Sequence, residues 1–184
     1  MAAETIPVDD FDPASLDSGI DTIAVGGYHL GITAYLPDPP KADNSIAFDC
    51  EVLAGNVAQQ EGKHTRFYLN KLGTGAAAED NLKAKRNYFT FAIAAKLTSE
   101  EEIKAAKAAG RGVAIDWDLA VGRDFKGEIT SYDGKNGKKY NLCPWKIWPC
   151  ESPKASHIPM NKGAHSKVAD VPANGDIFGG DDQF

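Results

Sequence analysis

The sequence predicts a mainly β protein, with five strands and a helical insert between the third and the fourth. Three features point to this class. Three successive stretches between residues 23 and 72 alternate apolar and polar residues with the period of two expected of half-buried strands. The spacing then changes to that of helices between residues 79 and 110. Alternation returns after residue 123 and is broken once, by a turn-rich run.

The elements follow in order. The first strand lies within 23–36, where Tyr28, Leu30, Ile32 and Ala34 alternate with His29, Gly31, Thr33 and Tyr35. The prolines of 36–44 end it. The second has Ile46, Phe48, Cys50 and Val52 on one side, and Ser45, Ala47, Asp49 and Glu51 on the other. After a loop over 55–62, the third, 63–72, sets Thr65, Phe67 and Leu69 against His64, Arg66, Tyr68 and Asn70. A helix is expected over 79–97, with Leu82, Phe89, Ile93 and Leu97 on its apolar stripe. A second opens on the capping box of Ser99 and Glu102 and stops at Gly110. A short third helix is expected over 116–121. The fourth strand, 123–130, places Phe125, Gly127 and Ile129 together, with Lys126 on the opposite, outer face. The run 132–138 signals a turn, and 139–148 forms the last strand. Trp145 and Trp148, three residues apart, should point to opposite faces of a regular strand, placing at least one in the core.

Five strands with a helix between the third and fourth are the arrangement of the oligonucleotide-binding (OB) barrel. The alternative is an α+β sheet of another topology. The domain is taken as 23–150. Residues 1–22, with six acids and no Lys or Arg, read as an acidic disordered arm. Residues 151–175 read as a flexible linker and 176–184 as an acidic tip. Net charge is −6 over the chain, made of −6 on the first arm, +2 on 23–150 and −2 on 151–184. A slightly basic body between acidic arms argues against a generally basic nucleic-acid binder but leaves room for a basic groove.

Candidate ligand contacts cluster on the predicted outer surface. His64, Arg66 and Tyr68 line one face of the third strand. Lys41 stands in the first loop and Lys126 on the fourth strand. Tyr132, Lys135, Lys138 and Lys139 occupy the last turn, and Trp148 closes the last strand. Cations for phosphates and flat rings for unpaired bases are what single-stranded DNA binding requires. The opposing reading of each is structural: Lys-rich turns solvate hairpins, rings fill cores, and Asp49 and Glu51 repel phosphate.

Several classes are disfavoured. No stretch approaches the roughly 20 apolar residues of a membrane span. The first residues lack a basic flank with an apolar stretch, so no secretory leader is expected. Cys50, Cys143 and Cys150 are an odd number without a close pair, which suits a reducing cytoplasm. Cys143, Cys150, His157 and His165 are zinc-ligand types at the wrong spacing, so no metal or other cofactor is expected. No nucleophile stands near a base in a recognisable motif, and the chain reads as a non-enzyme. A small nuclease would have to converge Asp49, Glu51, Asp116 and Asp118 on Mg²⁺.

Three motifs carry a resemblance: Gly26-Gly27-Tyr28-x-x-x-Ile32, then Ile46-x-Phe48-x-x-x-Val52-x-x-Gly55, then Ala120-Val121-Gly122-Arg123-x-Phe125. Over 23–150 the chain resembles the phage-encoded domain of unknown function 669. That resemblance implies a phage origin, an OB-like domain, and single-stranded DNA binding in replication or recombination within the host bacterial cytoplasm. The tip, with Asp176, Ile177, Phe178, Asp181, Asp182 and the terminal Phe184, is similar to the partner-recruiting tails of bacterial single-stranded DNA-binding proteins. It departs from them in having Gln183, not Pro, before the last Phe. Recruitment of replication or recombination proteins is what that similarity implies. The competing expectation is an adaptor that binds proteins and no DNA.

Overall fold

Each alternating stretch becomes a strand because its apolar side chains can be buried only if they share one face. The computed structural model describes residues 23–39, 44–72, 78–134 and 137–164. The strands are β1 (Gly26–Leu36), β2 (Ser45–Gly55), β3 (His64–Asn70), β4 (Asp124–Gly134) and β5 (Gly137–Trp148). They form one antiparallel sheet in the order β3-β2-β1-β4-β5. The sheet is open, with β3 and β5 at its edges. Helix α1 (Ala78–Ala94) packs mainly against β5 and also touches β3 and β4. Helix α2 (Glu100–Ala108) follows, then a 3-10 turn over Trp117–Ala120.

One face of the sheet makes the core. Tyr28, Leu30, Phe48, Phe67, Leu69, Phe125, Ile129 and Leu142 are at most 2% exposed. Phe91 of α1 enters their centre. Its ring lies 4.5 Å from Phe48, 5.2 Å from Phe67 and 5.4 Å from Phe125. The predicted α1 stripe is therefore corrected in part: Leu97 packs against the core as expected, but Phe89 and Ile93 are only half-buried. Leu82 is 69% exposed, whereas Ala84, Phe91, Ala92 and Ala95 are buried and Tyr88 packs against them. The true stripe is built from alanines flanking one large ring. Small side chains let the helix approach the sheet closely, and Phe91 supplies the buried area.

The helix ends follow the sequence signals. Glu102 N–H donates to Ser99 Oγ at 3.1 Å, and Gly110 takes a φ of +65°. Arg123, 6% exposed, donates from Nε to Leu119 O (2.9 Å) and from Nη1 to Lys96 O (2.9 Å), so a buried cation neutralises carbonyls after α1.

Three register shifts interrupt the ladders of the described residues, and two of them decide where aromatic rings stand. The β1–β2 register slips at Thr33, which turns Tyr35 to stack on Phe48 at 5.2 Å. In the β4–β5 ladder Gly127 faces Ile147 but Ile129 faces Leu142, so Glu128 alone opposes residues 143–146. This bulge overturns the expectation drawn from strand alternation. Trp145 is 67% exposed, and Trp148 is half-buried outside the core cluster. The last turn is also tighter than expected, because β4 runs to Gly134 and β5 resumes at Gly137.

The stretch 151–175, read from the sequence as a flexible linker, is anchored by two buried side chains within its described part, 151–164. Ala155 and Ile158 are 0% and 1% exposed. Ile158 lies over Gly27, where a Cβ would come within 2.7 Å of its Cγ1. That contact accounts for one glycine of the first motif. Among the described residues no helix is long and apolar enough to cross a membrane.

Candidate nucleic-acid interface

The outer face of the sheet has two halves. On β2 and β3 it is part-exposed, with Ala47 buried among half-buried polar side chains. The register sets Asp49 opposite Arg66, Ala47 opposite Tyr68 and Glu51 opposite His64. Arg66 donates twice to Asp49, from Nε at 2.6 Å and from Nη2 at 3.0 Å. This fork-on-carboxylate geometry holds the guanidinium firmly charged, raising its pKa well above the ordinary value. Their side chains are 21% and 28% exposed, so the pair is in contact with solvent. A phosphate reaching Arg66 must compete with Asp49. Tyr68 is half-buried on the same face, next to Arg66.

On β1 and β4 the outer face is covered. His29, Asp124, Lys126 and Cys150 are 0%, 2%, 6% and 3% exposed beneath the segment that follows β5. Asn161 N–H donates to His29 Nδ1 at 3.1 Å. The neutral ring therefore keeps its proton on Nε2, which donates to Asp124 Oδ2 at 2.7 Å. Burial pushes the Cys150 thiol well above its ordinary pKa, and the Asp124 carboxylate adds to the effect, so it stays protonated. Lys126 Nζ donates to Ala155 O at 3.2 Å. The sequence expectation for Lys126 is thus corrected: alternation places it on the outer face, but residues 150–161 bury that face and fix its ammonium on a backbone carbonyl.

His29, Asp124 and Cys150 present ligand atoms within 4.8 Å of one another, the spacing of a metal site. Their protons argue for another use. A cation at His29 Nε2 needs a lone pair there, and the Asn161 contact places the lone pair on Nδ1. The cluster is a polar staple for the segment after β5. The sequence offered no signal for it, since its members lie up to 121 positions apart.

The β4–β5 hairpin is the third part of the candidate interface. Tyr132 is 50% exposed, and the register pairs it with Lys139 and pairs Asp133 with Lys138. Near the base of the hairpin, Glu128 accepts from Lys146 Nζ and lies 3.3 Å from His157 Nε2. Trp148 meets His157 edge-on, with centroids 6.2 Å apart. His64 is half-buried on β3. Lys41, Lys135 and all six tip residues lie outside the described residues, as do the side chains of Lys138 and Lys139. The structure therefore brings Arg66 and Tyr68 together on one face, sets Tyr132 on the hairpin, and withdraws Lys126.

No protein-family model matches the chain, and no curated protein is significantly similar to it.

Proposed function

We propose that this protein is a non-enzymatic, sequence-tolerant single-stranded DNA-binding protein with an OB-like core. The observation that carries the reading is the β4–β5 hairpin, which combines a half-exposed tyrosine with Lys138 and Lys139 in adjacent register positions. Cations beside an exposed ring provide both phosphate neutralisation and base stacking. The strand order supports the OB comparison. A central β1 flanked by β2 and β4, with β3 and β5 at the edges, is what results when a five-stranded barrel is opened between its third and fifth strands.

In this reading the DNA path follows the hairpin and the part-exposed β2–β3 face. It avoids the stapled half of the sheet. Arg66 takes part only when a phosphate displaces Asp49, so its contribution is small and salt-sensitive. The acidic Phe-ended tip serves as the recruiting element for replication or recombination proteins.

The test is fluorescence anisotropy with labelled dT oligonucleotides and a matched duplex at two salt concentrations. The expected result is tight, salt-sensitive binding to the single strand, weaker duplex binding, and loss of affinity in a K138A/K139A double variant. Absence of binding to either nucleic acid at low salt would overturn the reading and favour the protein-binding adaptor.

A further inference from the structure

The bulge in β5 places an indole where the strand pattern alone would bury one. Four residues, 143–146, stand opposite Glu128. Pro144 cannot donate to the ladder, which helps the chain leave it. Both ends of the detour are held, because Cys143 and Ile147 are 4% and 3% exposed and Lys146 is tied to Glu128. Trp145, between these anchors, is 67% exposed.

Edge protection explains part of this. β5 is an edge strand, and a bulge discourages pairing with another sheet. A lysine at position 145 would serve that purpose better, so edge protection does not account for a tryptophan. Bulges also re-aim side chains next to functional sites. An indole on an anchored bulge loses little freedom when it makes a contact, having only two side-chain torsions to fix.

We infer that Trp145 is a base-stacking platform: it takes the face of one unpaired base of the strand bound along the hairpin. This rests on the single-stranded DNA reading above. Glu128, opposite the bulge, is four residues from Tyr132, about 13 Å along β4. A strand following the hairpin would thus meet Lys138, Lys139 and Tyr132 before reaching Trp145. Every base offers a π-face, so the contact is sequence-tolerant. Because a ring neutralises no phosphate, Trp145 should contribute to affinity without contributing to its salt dependence.

The experiment compares wild type, W145A, W145F and Y132A on a labelled dT oligonucleotide of about 16 nucleotides, across a salt series, with thermal melts to check folding. The expected result is a dissociation constant raised about 5- to 150-fold in W145A, the range for one lost stacked base. The slope of log affinity against log salt should stay unchanged, and W145F should retain most of the affinity. Wild-type affinity in W145A, with Y132A or K138A/K139A still impaired, would overturn this inference and leave the DNA reading standing. Equal losses in W145A and W145F with an altered salt slope would also overturn it, by indicating a rearranged hairpin. No binding by the wild-type protein would overturn both.

Discussion

The two halves of the outer sheet face are built from the same kind of sequence and end in opposite environments. On β2 and β3, Asp49 and Arg66 form a cross-strand ion pair in contact with solvent. On β1 and β4, the neutral His29 ring donates to Asp124 in a hydrogen bond whose side chains are 0% and 1% exposed. The alternation of polar with apolar residues is the same in both. What separates them is the chain after β5, which lies over one half and leaves the other part-exposed. Between bulges, a strand pattern determines which face a side chain takes. Whether that face meets water depends on what else packs there.

Three measurements would break or sharpen this contrast. The largest effect is expected for Asp124→Ala. It removes the acceptor shared by His29 and Cys150 and leaves the buried His29 N–H unsatisfied, at a cost of about 1–3 kcal/mol in urea unfolding. A change under about 0.5 kcal/mol would mean the segment after β5 is only loosely draped, and the contrast would fail.

The next concerns alkaline pH. Cys150 in the covered half, and Cys50 in the core, are held above their ordinary pKa of 9.0, chiefly by burial. Burial also pushes Tyr88 from 10.0 up to about 12. In each case the unfolded group releases its proton at a pH where the folded group keeps it. The stability contribution is thus full below the unfolded pKa and is lost as pH rises. Unfolding free energy should fall above about pH 9, by at most about 1.4 kcal/mol per pH unit for each thiol. Cys150→Ala should lessen this slope. An identical slope in that variant would show that the thiol reaches water in the folded protein.

The smallest effect is expected on the part-exposed half. Asp49→Asn should change stability by no more than about 1 kcal/mol, because the pair is part-exposed. It should also release Arg66 and raise affinity for single-stranded DNA a few-fold at low salt. A large destabilisation would place Asp49–Arg66 in the same class as the staple.

Much of the fold was legible in the sequence because it rests on local rules. Five strands in the expected places follow from apolar period-two patterning, and the α2 boundaries follow from Ser99, Glu102 and Gly110. The buried face of α1 was legible only in part: of the stripe Leu82, Phe89, Ile93 and Leu97, Leu97 packs against the core, while alanines and Phe91 make the main contact. The placement of the candidate interface residues was legible in part. Arg66 and Tyr68 face outward as alternation requires, and Tyr132 is exposed on its hairpin. Lys126 was not legible: its burial depends on Ala155, 29 positions away. Nor was Trp145, since a bulge cancels the alternation on which its placement depended.

By itself, then, the sequence determined the strand pattern, the α2 caps and, away from the bulges, the side of the sheet on which a residue stands. These depend on neighbours a few positions apart, where periodicity and capping chemistry decide. Only the tertiary structure decided that half of the outer face is sealed by a His29–Asp124–Cys150 staple, that the sheet stays open between β3 and β5, and that Trp145 stands exposed. Those outcomes depend on segments distant in sequence meeting in space, and a linear pattern carries no trace of which segments meet.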